Sequence, residues 1–316
     1  MSKKLAVIAV GGNALIPDDQ HCSYQDQYNA ILKNAESVAD MIEAGWRVVL
    51  THGNGPQVGF ILRRSELASL EVPTEPLDCA VADTQGSIGY HFQNALNNVL
   101  KRRNIHKPIA SIVTQTIVSK NDPAFSKPTK PIGAFMDEKT AKERQNTLGW
   151  NIMEDSGRGW RRTVASPQPI AIQELSTIRS LLDQDILVIA CGGGGIPVAF
   201  DDQEELIGVE AVIDKDLASA LLAKELKADL LLIPTGVEQV AINFGTPEQQ
   251  WLDTLTVQDA RHFSEKGEFG EGSMGPKINA VIDFVSEVPD AQGLITSPDV
   301  IKEALERKTG TWIVNN

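Results

Sequence analysis

Six runs of apolar and β-branched residues set the terms on which this chain can fold: Leu5–Val10, Trp46–Thr51, Ile109–Gln115, Ile186–Cys191, Asp229–Thr235 and Gly293–Thr296. A strand with one wet face alternates apolar and polar side chains, whereas a strand covered on both faces reads as a continuous apolar run. The runs therefore predict strands buried between layers of helices. Glycine-rich breaks and helical stretches follow them, and that alternation implies an α/β protein with a parallel sheet.

The helices have punctuation that can be named. Ser23 is placed to cap a helix over about Gln25–Ala44, whose apolar positions Ile31, Ala35, Val38, Met41 and Ile42 recur at helical spacing before a stop at Gly45. Pro56 stands where a first helical turn would begin, and Asp214 opens a helix from Lys215 to Leu226. Between Asn121 and Ser166 the rhythm breaks. That stretch holds Pro123, Pro128 and Pro131, a short helical segment at Glu138–Leu148, and the basic residues Arg158, Arg161 and Arg162. It reads as a small protruding subdomain, residues 121–166, inserted in a single domain spanning residues 1–316. Its arginines fit either a solvated basic patch or a lid that meets anions on closure.

Composition narrows the function. The chain has 42% hydrophobic and 22% charged residues, the balance of an ordinary folded domain. Its net charge of −13 would repel nucleic acid and anionic membrane surfaces, so neither is an expected partner. Three cysteines, Cys22, Cys79 and Cys191, are odd in number and form no CxxC pair, which suits a reducing cytoplasm. The apolar run Leu5–Val10 after Lys3 and Lys4 is too short for a signal-peptide core or a membrane span.

Three glycine clusters follow strands: Gly11-Gly12-Asn13, Gly53-Asn54-Gly55 and Gly192-Gly193-Gly194-Gly195. Any one of them could be only a tight turn. Together they describe an anion cradle, because glycine lets backbone N–H groups approach a ligand and a following helix adds the positive end of its dipole. No GxxxxGK[ST] occurs, the Gly53–Gly59 stretch misses the dinucleotide spacing by one residue, and there is no HRD or DFG. The histidines His21, His52, His91, His106 and His262 are scattered, which argues against a metal-hydrolase cluster.

Three lysines stand out because local backbone chemistry holds each in place. Lys130 lies between Pro128 and Pro131, Lys215 between Asp214 and Asp216 at a helix start, and Lys277 after Gly275-Pro276. Phosphoryl transfer needs positive charge placed around the moving group more than it needs covalent chemistry. Asp214 and Asp216 fit helix caps; Asp214 alternatively fits an organiser that holds two of the lysines by ion pairing.

At these residues the chain resembles the carbamate kinases of the amino-acid-kinase superfamily. The matching segments run its length: GGNAL from Gly11, THGNGPQVG from Thr51, QGSIGY from Gln85, NDPAF and PTKPIG from Asn121 to Gly133, EDSGRGWRR from Glu154 and ASPQP from Ala165. They continue as GGGGIPV from Gly192, AVIDKD from Ala211, INFG from Ile242, GSMGPK from Gly272 and KTGT from Lys308. The resemblance implies a three-layer α/β/α sandwich with an open, mostly parallel sheet of about eight strands, a protruding subdomain and a homodimer. It implies reversible phosphoryl transfer between ATP and carbamate, giving ADP and carbamoyl phosphate, with Mg²⁺ accompanying the nucleotide.

Carried over by motif, Lys130 and Lys215 would stabilise the transition state and Asp214 would organise them. Gly11, Gly12, Asn13, Gly53, Asn54, Gly193 and Gly194 would hold the phosphoryl group and the acceptor. Lys215, Thr235, Phe244, Met274 and Lys277 would bind nucleotide, and no protein-held metal site is expected. Some positions depart from the family pattern: Gln239 and Thr246 stand where lysine is common, Phe244 where tyrosine is, and Ser156 and Trp160 where alanine and tyrosine are usual. Two other readings stay open, a kinase for another small carboxylate and a silent member that binds carbamoyl phosphate or nucleotide without turnover.

Overall fold

In the computed structural model, which describes residues 3–12, 23–155, 157–270 and 273–315, the strand Leu5–Val10 is central. The main sheet has eight strands in the order Thr254–Thr256, Thr311–Val314, Gln292–Thr296, Leu230–Pro234, Leu5–Val10, Arg47–His52, Leu187–Ile189 and Ile109–Ser111. Neighbours run parallel except Gln292–Thr296 against Thr311–Val314. Successive side chains of a strand point to opposite faces. Leu5, Val7 and Ala9 accordingly join a core with Ile178, Leu222, Ile278 and Phe284, while Ala6, Ile8 and Val10 join a second core with Ile31, Val38, Phe92 and Leu96. Helices cover both faces, which is the expected three-layer sandwich.

Local signals behave as their chemistry dictates. Ser23 caps the helix Tyr24–Glu43 through a reciprocal bond pair with Asp26, and Asp214 caps the helix Lys215–Leu226. The helix Gln57–Ala68 begins directly after Pro56. Two expected strands stop well short of their apolar runs, and Asp229–Thr235 loses one residue at each end. Ile109–Gln115 splits into Ile109–Ser111 in the main sheet and Gln115–Val118 in a second sheet, because the Gln85 side chain takes both backbone groups of Thr114 (2.8 and 2.9 Å) and ends the ladder. Ile186–Cys191 keeps only Leu187–Ile189, since Cys191 has already turned into the left-handed region at φ +50°.

The second sheet is ordered Leu206–Gly208, Ile196–Phe200, Gln115–Val118 and Pro169–Ile172, and residues 121–166 lie in the chain between its last two strands. There Lys130–Met136, Trp160–Val164 and Asn151–Glu154 form an antiparallel sheet, with the helix Glu138–Leu148 between two of its strands in the chain. The strand bearing Lys130 is seated on the helix Gln57–Ala68 by a glycine-to-glycine contact. A Cβ on Gly59 would lie 2.8 Å from Gly133 N and overlap its Cα. Gly59→Ala is therefore expected to destabilise by about 1–3 kcal/mol through overpacking, read as a lowered urea midpoint with unchanged slope. Gly86→Ala, where a helical Cβ meets open space, should leave the midpoint unchanged or raise it.

Candidate functional site

The site grows from the start of the helix Lys215–Leu226. Asp214 sits at its N-cap, and one carboxylate oxygen accepts from the backbone N–H of Asp216 (2.8 Å) and Leu217 (3.4 Å). The other oxygen accepts from Lys130 Nζ at 2.6 Å. Asp216, in the first helical turn and 4% exposed, bridges the remaining two lysines: Oδ1 accepts from Lys215 Nζ, and Oδ2 from Lys277 Nζ at 3.2 Å. Lys215 Nζ also donates to the carbonyl of Ala9 at 3.1 Å, next to the first glycine corner. The helix itself is fixed to the sheet by Thr51 and Ser219, whose buried hydroxyls are 2.6 Å apart.

Three ammonium groups thus converge on two carboxylates, leaving net positive charge at the mouth of the parallel strands. A lone ammonium taken out of water costs several kcal/mol, so the carboxylates are what permit the cluster to exist. Burial alone would raise the Asp214 pKa, but Lys130 beside it, with Lys215 and the Asp216 N–H, brings it down to about 2. Burial pushes the Lys215 pKa below its ordinary value; Asp216 opposes that shift and Lys277 adds to it. The expectation that Asp214 holds two of the lysines by ion pairing needs amendment: it pairs with Lys130, while Asp216 takes Lys215 and Lys277. The Asp214-Lys215-Asp216 triplet puts two counter-ions beside the buried lysine, but which carboxylate takes which ammonium is settled only by the packing.

The glycine corners interlock beside this cluster. Val10 pairs with His52 in the sheet, so the first two corners leave it side by side, and Gly53 N donates to Val10 O at 3.0 Å. A Cβ on Gly12 would sit 2.6 Å from Gly55 N. On Gly193, at φ +68°, it would overlap the Asn54 side chain, and on Gly194 it would lie 2.9 Å from the carbonyl carbon of Ile213, the residue before Asp214. Only glycine permits these backbone approaches. Gly11, Gly12, Gly53 and Asn54 therefore lie together with Gly193 and Gly194, and the group reaches the start of the Lys215 helix through Ile213. Beneath the corners His52 is fully buried, stacked on Phe92 with its Nδ1 3.0 Å from Gly53 O. Burial outweighs that hydrogen bond and lowers its pKa to about 4, so the ring is neutral at physiological pH.

Other candidate residues lie elsewhere. Asn13 falls outside the described residues. Thr235 directly follows the strand Leu230–Pro234 next to the central strand, its N–H bonded to Thr296 O at 2.8 Å. Met274 begins the helix that carries Lys277 and packs on the apolar core. Phe244 is 67% exposed beyond the ribbon Val240–Ile242 and Gln250–Leu252, edge-on to Trp251. Among the departures from the family pattern, Gln239 bonds Asp253, and Thr246 Oγ1 donates to Asn243 O at 2.9 Å. Arg158 and Arg161 pair with Asp155 and lie over the Phe135 ring, and Arg162 lies over Trp150, so all three are engaged by residues of the 121–166 stretch. Among the described residues, no helix is long and apolar enough to cross a membrane.

Chemically, the site offers fixed positive charge and backbone donors, and among the described residues no histidine or unpaired carboxylate faces the lysine cluster as a general base. That suits transfer of a phosphoryl group to an acceptor that is already anionic. Residues 4–291 match the profile of the amino acid kinase family. The chain is 48% identical over 314 residues to a carbamate kinase of Thermococcus kodakarensis, covering 98% of this chain and 99% of that one. It is 47% identical over 315 residues to the carbamate kinase-like protein YahI of Escherichia coli, covering 99% of each. It superposes on the structure of carbamate kinase from Giardia lamblia bound to AMP-PNP with a TM-score of 0.92, at 40% identity and 99% coverage of both chains.

The depressed Asp214 pKa has a signed consequence. Its folded value of about 2 lies below the ordinary aspartate value of about 4, so its contribution is complete above that ordinary value and is lost as pH falls through 2. The stability gap between the unsubstituted protein and Asp214→Asn should therefore be flat above about pH 5 and shrink by roughly 1–2 kcal/mol on acidification, followed by urea midpoints at successive pH values.

Proposed function

The chain belongs to the amino acid kinase family, and on that premise we propose that it catalyses reversible phosphoryl transfer between ATP and carbamate, giving ADP and carbamoyl phosphate. One observation carries the reading: three lysines held by Asp214 and Asp216 beside interlocked glycine corners. An oxygen of carbamate attacks the γ-phosphorus as the bond to the β,γ-bridging oxygen breaks. The electron pair leaves with ADP and no proton moves, so no general base is needed. Lys130 and Lys215 meet the charge on the transferring group, with Asp214 and Asp216 fixing their ammonium positions. Backbone N–H groups of the Gly11-Gly12, Gly53-Asn54 and Gly193-Gly194 corners donate to phosphoryl and acceptor oxygens. Lys277 takes nucleotide phosphate, and Thr235, Met274 and Phe244 lie toward the nucleoside. Asn13 completes the cradle in this reading.

Mg²⁺ would supply further charge neutralisation on the nucleotide phosphates. Asp214 and Asp216 are both occupied by ammonium groups, and among the described residues no group of three His, Cys, Asp or Glu is placed to hold a metal. The donor set does not fit a protein-held ion. Residues 121–166 act in this account as the subdomain that presents Lys130 and covers the acceptor. We propose a homodimer, as the resemblance in the sequence motifs implies, and a cytoplasmic setting, which the unpaired Cys79 and Cys191 support.

Initial rates of ATP formation from ADP with carbamoyl phosphate, acetyl phosphate and aminoacyl phosphates test the reading. The expected result is a kcat/KM at least tenfold higher for carbamoyl phosphate than for any other donor. Preference for another acyl phosphate would replace carbamate as the acceptor. ADP binding with no turnover of any donor would make the chain a silent binding member.

A further inference from the structure

Two polar atoms at the glycine corners are buried without a partner among the described residues, and their chemistry is complementary. Asn54, 7% exposed, commits its Oδ1 to the Thr84 hydroxyl at 2.6 Å and leaves Nδ2, a donor, unpaired. Gln57, 8% exposed and the first residue of its helix, donates from Nε2 to Gln27 Oε1 at 3.1 Å and leaves Oε1, an acceptor, unpaired. With Nε2 directed at Gln27 Oε1, the Gln57 amide presents Oε1 on its other side. Oε1 is turned toward the Gly53-Asn54-Gly55 corner: a Cβ on Gly55 would overlap it and would lie 3.3 Å from Gly12 O. A buried amide oxygen left unpaired destabilises the fold, and such atoms call for an explanation.

Phosphate and carboxylate oxygens can use the Asn54 donor but have nothing to offer an acceptor. An unpaired oxygen beside an anion cradle is useful only for a ligand that also bears an N–H or O–H. Carbamate has that make-up, two oxygens and an amino group on one carbon, whereas acetate puts a methyl in the amino position. We infer that Gln57 Oε1 accepts an N–H of the acceptor's amino group and so makes Gln57 the residue that selects carbamate over carboxylates of the same shape. The inference rests on the carbamate reading and adds the discriminating contact. A site built to hydrogen-bond a substrate group rejects the analogue lacking it far more strongly than an apolar pocket rejects a change in size.

The test compares carbamoyl phosphate with acetyl phosphate on the full chain, with acetyl phosphate read as substrate or, where its turnover is below detection, as a competitive inhibitor. Gln57→Met keeps length and removes the acceptor; Gln27→Leu keeps Gln57 but removes the partner that orients it. Because both donors are measured on one preparation, partial loss of folded protein cancels in their ratio. The expected result is that Gln57→Met lowers the preference for carbamoyl phosphate at least tenfold, through loss with that donor and little change with acetyl phosphate, and that Gln27→Leu lowers it in the same direction. Parallel loss with both donors, or an unchanged ratio in whichever variants fold, would overturn the role of Gln57 while leaving the carbamate reading standing. Preference of the unsubstituted protein for acetyl phosphate would overturn both.

Discussion

The site depends on two carboxylates at one helix start. Asp214 and Asp216 are separated by a single residue, yet they face different cations, and between them they immobilise three lysines drawn from the small subdomain, the helix itself and the helix Met274–Glu287. Without them, three ammonium groups would repel one another and the most buried, Lys215, would tend to shed its proton. With them, the ammonium groups are held in place before any anion arrives. Preorganised charge of this kind needs no rearrangement when the reaction moves charge, and this is the largest lever available to an enzyme that makes no covalent intermediate.

The backbone around that cluster has a matching constraint. Three corners that leave parallel strands can converge only if their Cα atoms approach more closely than a Cβ allows, and Gly12, Gly193 and Gly194 meet neighbouring backbone or Asn54 at such distances. The same device recurs where Gly59 meets Gly133 and seats the strand bearing Lys130. An acidic chain with a net charge of −13 can therefore serve anionic substrates, because what matters is where its lysines are fixed and not the sum.

Much of this could be read in the sequence because it was written in local chemistry. The central strand, the Ser23 and Asp214 caps and the helix Glu138–Leu148 appear where apolar runs and capping residues place them. The helix Leu77–Arg102 was less visible, since it starts after Pro76 with no side-chain cap. Thr254–Thr256 is three residues long, too short for its pattern to speak, and joins the sheet through tertiary pairing alone. In the site, the lysines were marked by flanking prolines, glycines and acids. Spacing could not say which carboxylate faces which ammonium, so Asp216 emerged from the packing; nor could it show that Gln27 turns Gln57 Oε1 toward a glycine corner.

Charge alone and charge placement make opposite forecasts for one substitution. Asp216→Asn adds a unit of positive charge around a bound anion and also releases Lys215 and Lys277 from their shared anchor. The decisive measurement is kcat for ATP formation from carbamoyl phosphate and ADP, with circular dichroism to confirm that the substituted protein is folded. If fixed placement is what the site provides, kcat falls at least tenfold despite the added positive charge. An unchanged or higher kcat would contradict the account.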